Sequence, residues 1–127
     1  MTRHVLILDL KDDPDLIARY EAYHRPGGVP DAVLRSIRDA GIAEMEIHRS
    51  GNRLVMVMET TAAFDPAAKA AADAADPAVV AWEALMDAYQ QRLPWAPAGV
   101  KWLEAERIFA LSQHPIAGSA GPANDAH

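Results

Sequence analysis

Tyr20 and His24 stand four positions apart in the stretch Asp13-Pro14-Asp15-Leu16-Ile17-Ala18-Arg19-Tyr20-Glu21-Ala22-Tyr23-His24. Side chains at this spacing on a helix are neighbours one turn apart, so a phenol is set beside an imidazole. Leu16, Ile17, Tyr20, Tyr23 and His24 together form one helical stripe. Asp13 has the oxygen to cap the helix, Pro14 fits its first turn, and Asp15 suits the positive end of its dipole. The breaker Arg25-Pro26-Gly27-Gly28-Val29-Pro30 follows at once and leaves His24 in the last turn. The negative end of a helix dipole favours a protonated imidazole there. General acid catalysis near neutral pH is therefore the chemistry this spacing offers. A histidine that only caps the last carbonyls would leave the same pattern.

Other groups able to meet a substrate are spread along the chain. Glu46, Glu83, Glu104 and Glu106 supply carboxylates, and Trp82, Trp95 and Trp102 supply flat apolar faces. Carbohydrate sites combine these two classes, because carboxylates bond sugar hydroxyls and an aromatic face covers the C–H side of the ring. Each aromatic would equally fill a core and each carboxylate a solvent face. Asp9, inside the first apolar run, is placed to reach a pocket, whereas Asp12 and Asp13 belong to a turn and a cap. His4 and His48 fall at strand ends, and His114 and His127 in the tail. None has carboxylates at ligand spacing, so no metal site is expected. Walker loop, dinucleotide fingerprint, nucleophile elbow and metal-helix motif are all missing. With no cysteine there is no disulfide framework, no thiolate zinc site and no cysteine nucleophile.

The elements that must position Tyr20 and His24 follow from periodicity. Val5 to Leu10 reads as a central strand, and the helix to His24 follows. Pro30 and Asp31 start a second helix with Val33, Leu34, Ile37 and Ala40 inward, and Gly41 stops it. Ile42 to His48 alternates, with Met45 and Ile47 on one face and Glu44, Glu46 and His48 on the other. Ser50-Gly51-Asn52 turns it into a returning strand, Arg53 to Glu59, which makes a hairpin. Phe64 to Ala75 is an alanine-rich helix starting at Asp65-Pro66, and Pro77 opens another with Val80, Trp82, Leu85, Met86 and Tyr89 as a broad apolar stripe. Leu93 to Gly99 is a loop. Trp102 to Leu111 is expected as the last strand, with Ile108-Phe109-Ala110-Leu111 as its buried end. From Ser112 the chain reads as a frayed tail, so we expect one domain over residues 1–113 and a flexible tail over 114–127.

Merging the split helices gives β-α-β-β-α-β, the order of a ferredoxin-like α+β fold. One face of such a sheet carries the helices, and the other calls for a second subunit. The 127 residues suit one domain and half are hydrophobic. A net charge of −6 argues against nucleic acid or an anionic membrane surface as partner. No apolar run is long enough to span a bilayer, and the N-terminus lacks the layout of a secretion signal, so a cytoplasmic protein is expected.

Tyr20-Glu21-Ala22-Tyr23-His24, the Pro-containing loop and Gly41 resemble the N-terminal half of the L-rhamnose mutarotase family. Trp82-Glu83-Ala84-Leu85-Met86 is similar to that family's Trp-containing helix, and Glu106 to Leu111 to its last strand. The resemblance runs from about Val5 to Leu111. It implies a dimeric α/β barrel and cofactor-free interconversion of the α and β anomers of a 6-deoxy sugar such as L-rhamnose or L-fucose. It also implies His24 as proton donor, with Tyr20 and Trp82 contacting the monosaccharide. Three positions depart from the family's pattern: Gly28 and Val29 precede Pro30 where a tryptophan is usual, Glu83 replaces a second tryptophan, and Met45 replaces a tyrosine. Losing aromatics and gaining a carboxylate points to a different hydroxyl pattern, L-fucose in particular. Two other readings share the element order: a cofactor-free monooxygenase of the dimeric α/β-barrel type, and a non-catalytic ligand-binding module. Acidic residues around the second and last strands speak against an apolar monooxygenase cleft.

Overall fold

Val5-Leu6-Ile7-Leu8 sits inside a strand, β1, that runs from Thr2 to Leu10 and pairs on both edges. The computed structural model describes residues 1–116. Arg53–Thr60 (β3) lies antiparallel to β1, from Thr2↔Thr60 to Asp9↔Arg53. Ile42–Ser50 (β2) lies outside β3, also antiparallel, with a register shift between Ile42 and Glu44. The far edge of β1 takes two short strands, Gln90–Gln91 (β4) and Leu103–Glu104 (β5). The sheet order is β2-β3-β1-β4, with β5 also on β1. Among the described residues, four helices complete a mixed α+β fold: Pro14–Tyr23 (α1), Asp31–Asp39 (α2), Pro66–Ala75 (α3) and Pro77–Asp87 (α4).

Three of these helices open on the same Asp-Pro pair. Asp13, Asp65 and Asp76 each accept a free N–H of the first turn, at 2.9, 3.0 and 3.0 Å. Proline at the next position has no N–H to leave unsatisfied and its φ already suits a helix. Repeating this start lets Asp76 both end α3 and begin α4.

The core forms where Leu10 and Leu54, from the same side of paired strands, meet Tyr20, Val33, Val79, Trp82, Met86 and Tyr89. Alternate residues of the same strands, Val5, Ile7, Val55 and Val57, are only half-buried and carry no helix. Asp9 lies on that other side. Its carboxylate is buried and held by Arg53 Nε and Nη2, at 2.8 and 3.2 Å, so it braces β1 to β3 and stays outside the cavity on the helix side of the sheet. The Arg53 guanidinium also stacks over Trp95, 5.5 Å from the ring centre.

Two expectations need correction. The last strand is two residues long, extended only by a bond from Ala105 N–H to the Val5 carbonyl at 2.7 Å. Its antiparallel register, Leu103↔Ile7 and Glu104↔Leu6, would bring residue 108 level with Thr2, where β1 ends. Past that point no strand remains to pair with, and Ile108, Phe109 and Leu111 are 92%, 62% and 76% exposed. The apolar stripe of α4 is also rotated: Val79, Trp82 and Met86 are buried, whereas Val80 and Leu85 face outward. Two features went unanticipated: the chain after Tyr89 pairs with β1 through Gln90 and Gln91 before the loop begins, and a short 3-10 turn forms at Leu111–Gln113, just ahead of the tail expected over 114–127. Beyond residue 116 that tail, including His127, lies outside the described residues.

Candidate active site

Helix α1 delivers Tyr20 and His24 to the same wall. Tyr20 is buried near its end and His24 is the residue that caps it. The His24 backbone N–H bonds the Glu21 carbonyl at 3.1 Å. Its ring Nδ1 donates to the Tyr20 carbonyl at 2.6 Å. The capping role and a chemical role are therefore compatible: Nδ1 holds the helix end, which fixes the tautomer and leaves Nε2 as the free nitrogen. The imidazole lies against the Tyr20 ring, with centres 4.3 Å apart, and meets Trp82 edge-on at 5.4 Å. Trp82 is in turn packed edge-on by Tyr23, at 6.3 Å. An imidazole clamped between two aromatics loses little orientation when a substrate arrives.

The loop after His24 folds back on the helix end. A Cβ at Gly28 would sit 2.4 Å from the Tyr23 carbonyl oxygen, so no other residue fits without moving backbone. Gly27, at φ 86°, makes the preceding turn. These two residues bring Val29 back to the core, where it packs against the buried cluster.

His24, Tyr20 and Trp82 line one cavity of about 810 Å³ between the helices and the helix-facing side of the sheet. Leu6, Met56 and Met58 form part of its floor. Val29, Glu83 and Met45, the three departures from the family pattern, also lie on its wall. Glu83 is partnered by Lys101 at 3.4 Å, and Lys101 also holds Asp87 at 2.7 Å. Burial pushes the Tyr20 phenol above its ordinary pKa, the Glu83 charge adds to this, and a hydrogen bond from Gln90 opposes it. Tyr20 thus stays neutral across the physiological range and is a hydrogen-bond donor.

Of the remaining candidates, Trp102 reaches the cavity wall; Glu46, Glu104, Glu106 and Trp95 do not. His4 is held between Glu104, at 3.0 Å, and the Thr60 hydroxyl, at 3.3 Å. His48 pairs with Glu46 on the exposed edge strand, and His114 stacks on Phe109. Among the described residues no three His, Cys, Asp or Glu side chains come together as a metal-binding group. None of the described helices is long and apolar enough to cross a membrane. Gln90, Arg38 and Glu44 also border the cavity, and sequence periodicity gave no sign of them. Gln90 lies in a two-residue strand, too short to show a pattern.

The model of the L-rhamnose mutarotase family matches residues 3–111. An L-fucose mutarotase of Xanthomonas campestris pv. campestris is 57% identical over 113 residues, which is 89% of this chain and 90% of that protein. The crystal structure of an L-rhamnose mutarotase from Formosa agariphila superposes with a TM-score of 0.62 at 18% identity, covering 87% of this chain and 98% of that one. The last likeness concerns the fold alone. With nearly the whole chain matched, this protein belongs to the L-rhamnose mutarotase family.

Proposed function

We propose that the chain is a cofactor-free mutarotase of 6-deoxy sugars, with L-fucose preferred to L-rhamnose, and that His24 is its acid–base group. The observation that carries this is the fixed imidazole: Nδ1 bound to the Tyr20 carbonyl at 2.6 Å, the ring clamped by Tyr20 and Trp82, on the wall of a sugar-sized cavity. In the protonated ring of His24 both nitrogens carry a proton: Nδ1 keeps its bond to the Tyr20 carbonyl, and Nε2 gives its proton to the ring oxygen of the sugar. The bond from that oxygen to C1 breaks as the C1 hydroxyl becomes a carbonyl, and the hydroxyl proton leaves to water at the open side of the cavity. Rotation about the C1–C2 bond and the reverse steps close the ring on the other face. A positioned general acid contributes roughly 10²–10⁴-fold to such a step. Tyr20 donates to the sugar as a neutral phenol, and Trp82 with the floor methionines covers its C–H side and methyl group. The L-fucose preference is supported by the name of the 57% identical relative and by Val29, Met45 and Glu83 on the cavity wall.

The assembly we propose is a homodimer of ferredoxin-like protomers that face each other as an α/β barrel. Val5, Ile7, Val55 and Val57 on the helix-free side of the sheet, and the exposed Ile108, Phe109 and Leu111, supply the apolar surface for it.

The activity is tested by adding the protein to L-fucose and to L-rhamnose and following anomer exchange by saturation-transfer NMR. We expect faster exchange for both, L-fucose ahead, and its loss in His24→Ala with the circular dichroism unchanged. No acceleration of any deoxy sugar would falsify the mutarotase reading, and an active His24→Ala would remove His24 from the mechanism.

A further inference from the structure

Gln90 is a polar side chain on the cavity wall for which the mechanism above has no use. Its backbone is fixed opposite Leu10 in the central strand, and its side chain reaches the cavity beside Tyr20. Nε2 donates to the Tyr20 hydroxyl oxygen at 3.4 Å. Oε1 is buried and has no partner among the described residues. A buried acceptor without a donor is costly, and folded chains keep few of them. One other side-chain atom shares this condition, Asp73 Oδ1, but that carboxylate is already answered by Lys69 on its second oxygen at 2.6 Å. Gln90 Oε1 has no such compensation.

The Tyr20 hydroxyl supplies the other half of the argument. A phenol has one proton to give and lone pairs to accept with. The Gln90 N–H occupies a lone pair, so the phenolic proton is directed away from Gln90, and burial keeps that proton in place. The two residues together offer one donor, Tyr20 O–H, and one unmet acceptor, Gln90 Oε1. Each sugar hydroxyl is both donor and acceptor, so neighbouring hydroxyls can satisfy both. A site with a buried acceptor also rejects an analogue lacking the matching hydroxyl far better than an apolar wall can.

We propose that Gln90 binds the sugar directly, accepting a hydrogen bond from one ring hydroxyl through Oε1 while its Nε2 orients the Tyr20 phenol toward the substrate. This rests on the mutarotase reading and deepens it, because it makes Gln90 a determinant of which hydroxylated sugar is accepted.

The test measures anomer exchange on wild type, Gln90→Leu and Gln90→Glu. The sugars are whichever of L-fucose and L-rhamnose the wild type exchanges faster, and its monodeoxy analogues. Gln90→Leu should raise KM for the parent sugar about tenfold, the weight of one hydrogen bond in a binding constant. Gln90→Glu keeps an acceptor, so its KM should stay within about threefold, while kcat falls because the phenol now donates to the carboxylate. One monodeoxy analogue should bind the wild type about tenfold more weakly than the parent, and that gap should close on Gln90→Leu. Unchanged ratios between parent and every analogue on Gln90→Leu would mean that Gln90 meets no sugar hydroxyl, and the proposal fails. If Gln90→Leu does not fold, Gln90→Glu decides: a KM raised beyond about tenfold overturns the acceptor role. Absence of exchange by the wild type with any sugar is a different failure, that of the mutarotase reading itself.

Discussion

At the scale of single residues, Tyr20 has three roles that can be measured separately. Its carbonyl holds the His24 ring, its ring packs that imidazole, and its hydroxyl accepts a hydrogen bond from Gln90. Tyr20→Phe removes only the last. We expect kcat/KM to fall about tenfold, the weight of one hydrogen bond, well short of the loss in His24→Ala; an equal loss in both would make the phenol a full catalytic partner. The same substitution has a signature in stability. Burial, the largest cause, raises the phenol's pKa above 10.0 in the folded chain. The stabilisation linked to the neutral phenol is therefore complete below about pH 10, its unfolded value, and is lost as pH rises through the folded one. Melting temperatures taken across the alkaline range should fall more steeply for the wild type than for Tyr20→Phe. Parallel curves would show that the Tyr20 phenol titrates alike in the folded and the unfolded chain.

At the scale of elements, α1 and the loop that follows act as one device. The Asp13 cap starts the helix, His24 ends it, and Gly28 lets the returning loop touch its last carbonyls. A methyl group at residue 28 would collide with the Tyr23 backbone oxygen, which cannot turn aside as a side chain can. Gly28→Ala should therefore cost about 1–3 kcal/mol, the usual penalty of overpacking, and should lower activity by moving the segment beside His24. Denaturant unfolding and the exchange assay check the two effects. A variant with wild-type stability would show that the loop has another conformation within reach. The helix, its cap and its stop were legible in the sequence because each is a local rule over about ten residues. The short strand β4 was not, since Gln90 and Gln91 have no period of their own and are strands only because β1 offers them an edge.

At the scale of the whole molecule, the described residues leave one side of the sheet without helices, and the chain beyond Ala105 exposes Ile108, Phe109 and Leu111. Apolar surface of this kind on an isolated protomer marks an interaction site. Analytical ultracentrifugation should give twice the 13.8 kDa chain mass. Val57→Lys, on the helix-free side, should shift the protein to single chains with its helical circular dichroism retained. A monomeric wild type would overturn the dimer. The acidic net charge and the missing nucleotide and thiolate motifs had already narrowed the function before any geometry was known. The family match then decides for a mutarotase against the monooxygenase and the non-catalytic module.

By itself the sequence determined the helices with their Asp-Pro starts, the β2–β3 hairpin, and the pairing of Tyr20 with His24 one turn apart. All of these depend on neighbours within a few residues, where spacing dictates geometry. The tertiary structure decided what lies across the chain. It brought Trp82 against an imidazole fifty-eight positions earlier. It buried Asp9 under Arg53 rather than in the cavity. It cut the last strand to Leu103–Glu104, opposite Ile7 and Leu6 of β1. It also placed Gln90 beside Tyr20, seventy positions apart. Hydrophobicity states that a residue prefers burial, but only the paired strands and packed helices state whether anything is there to bury it.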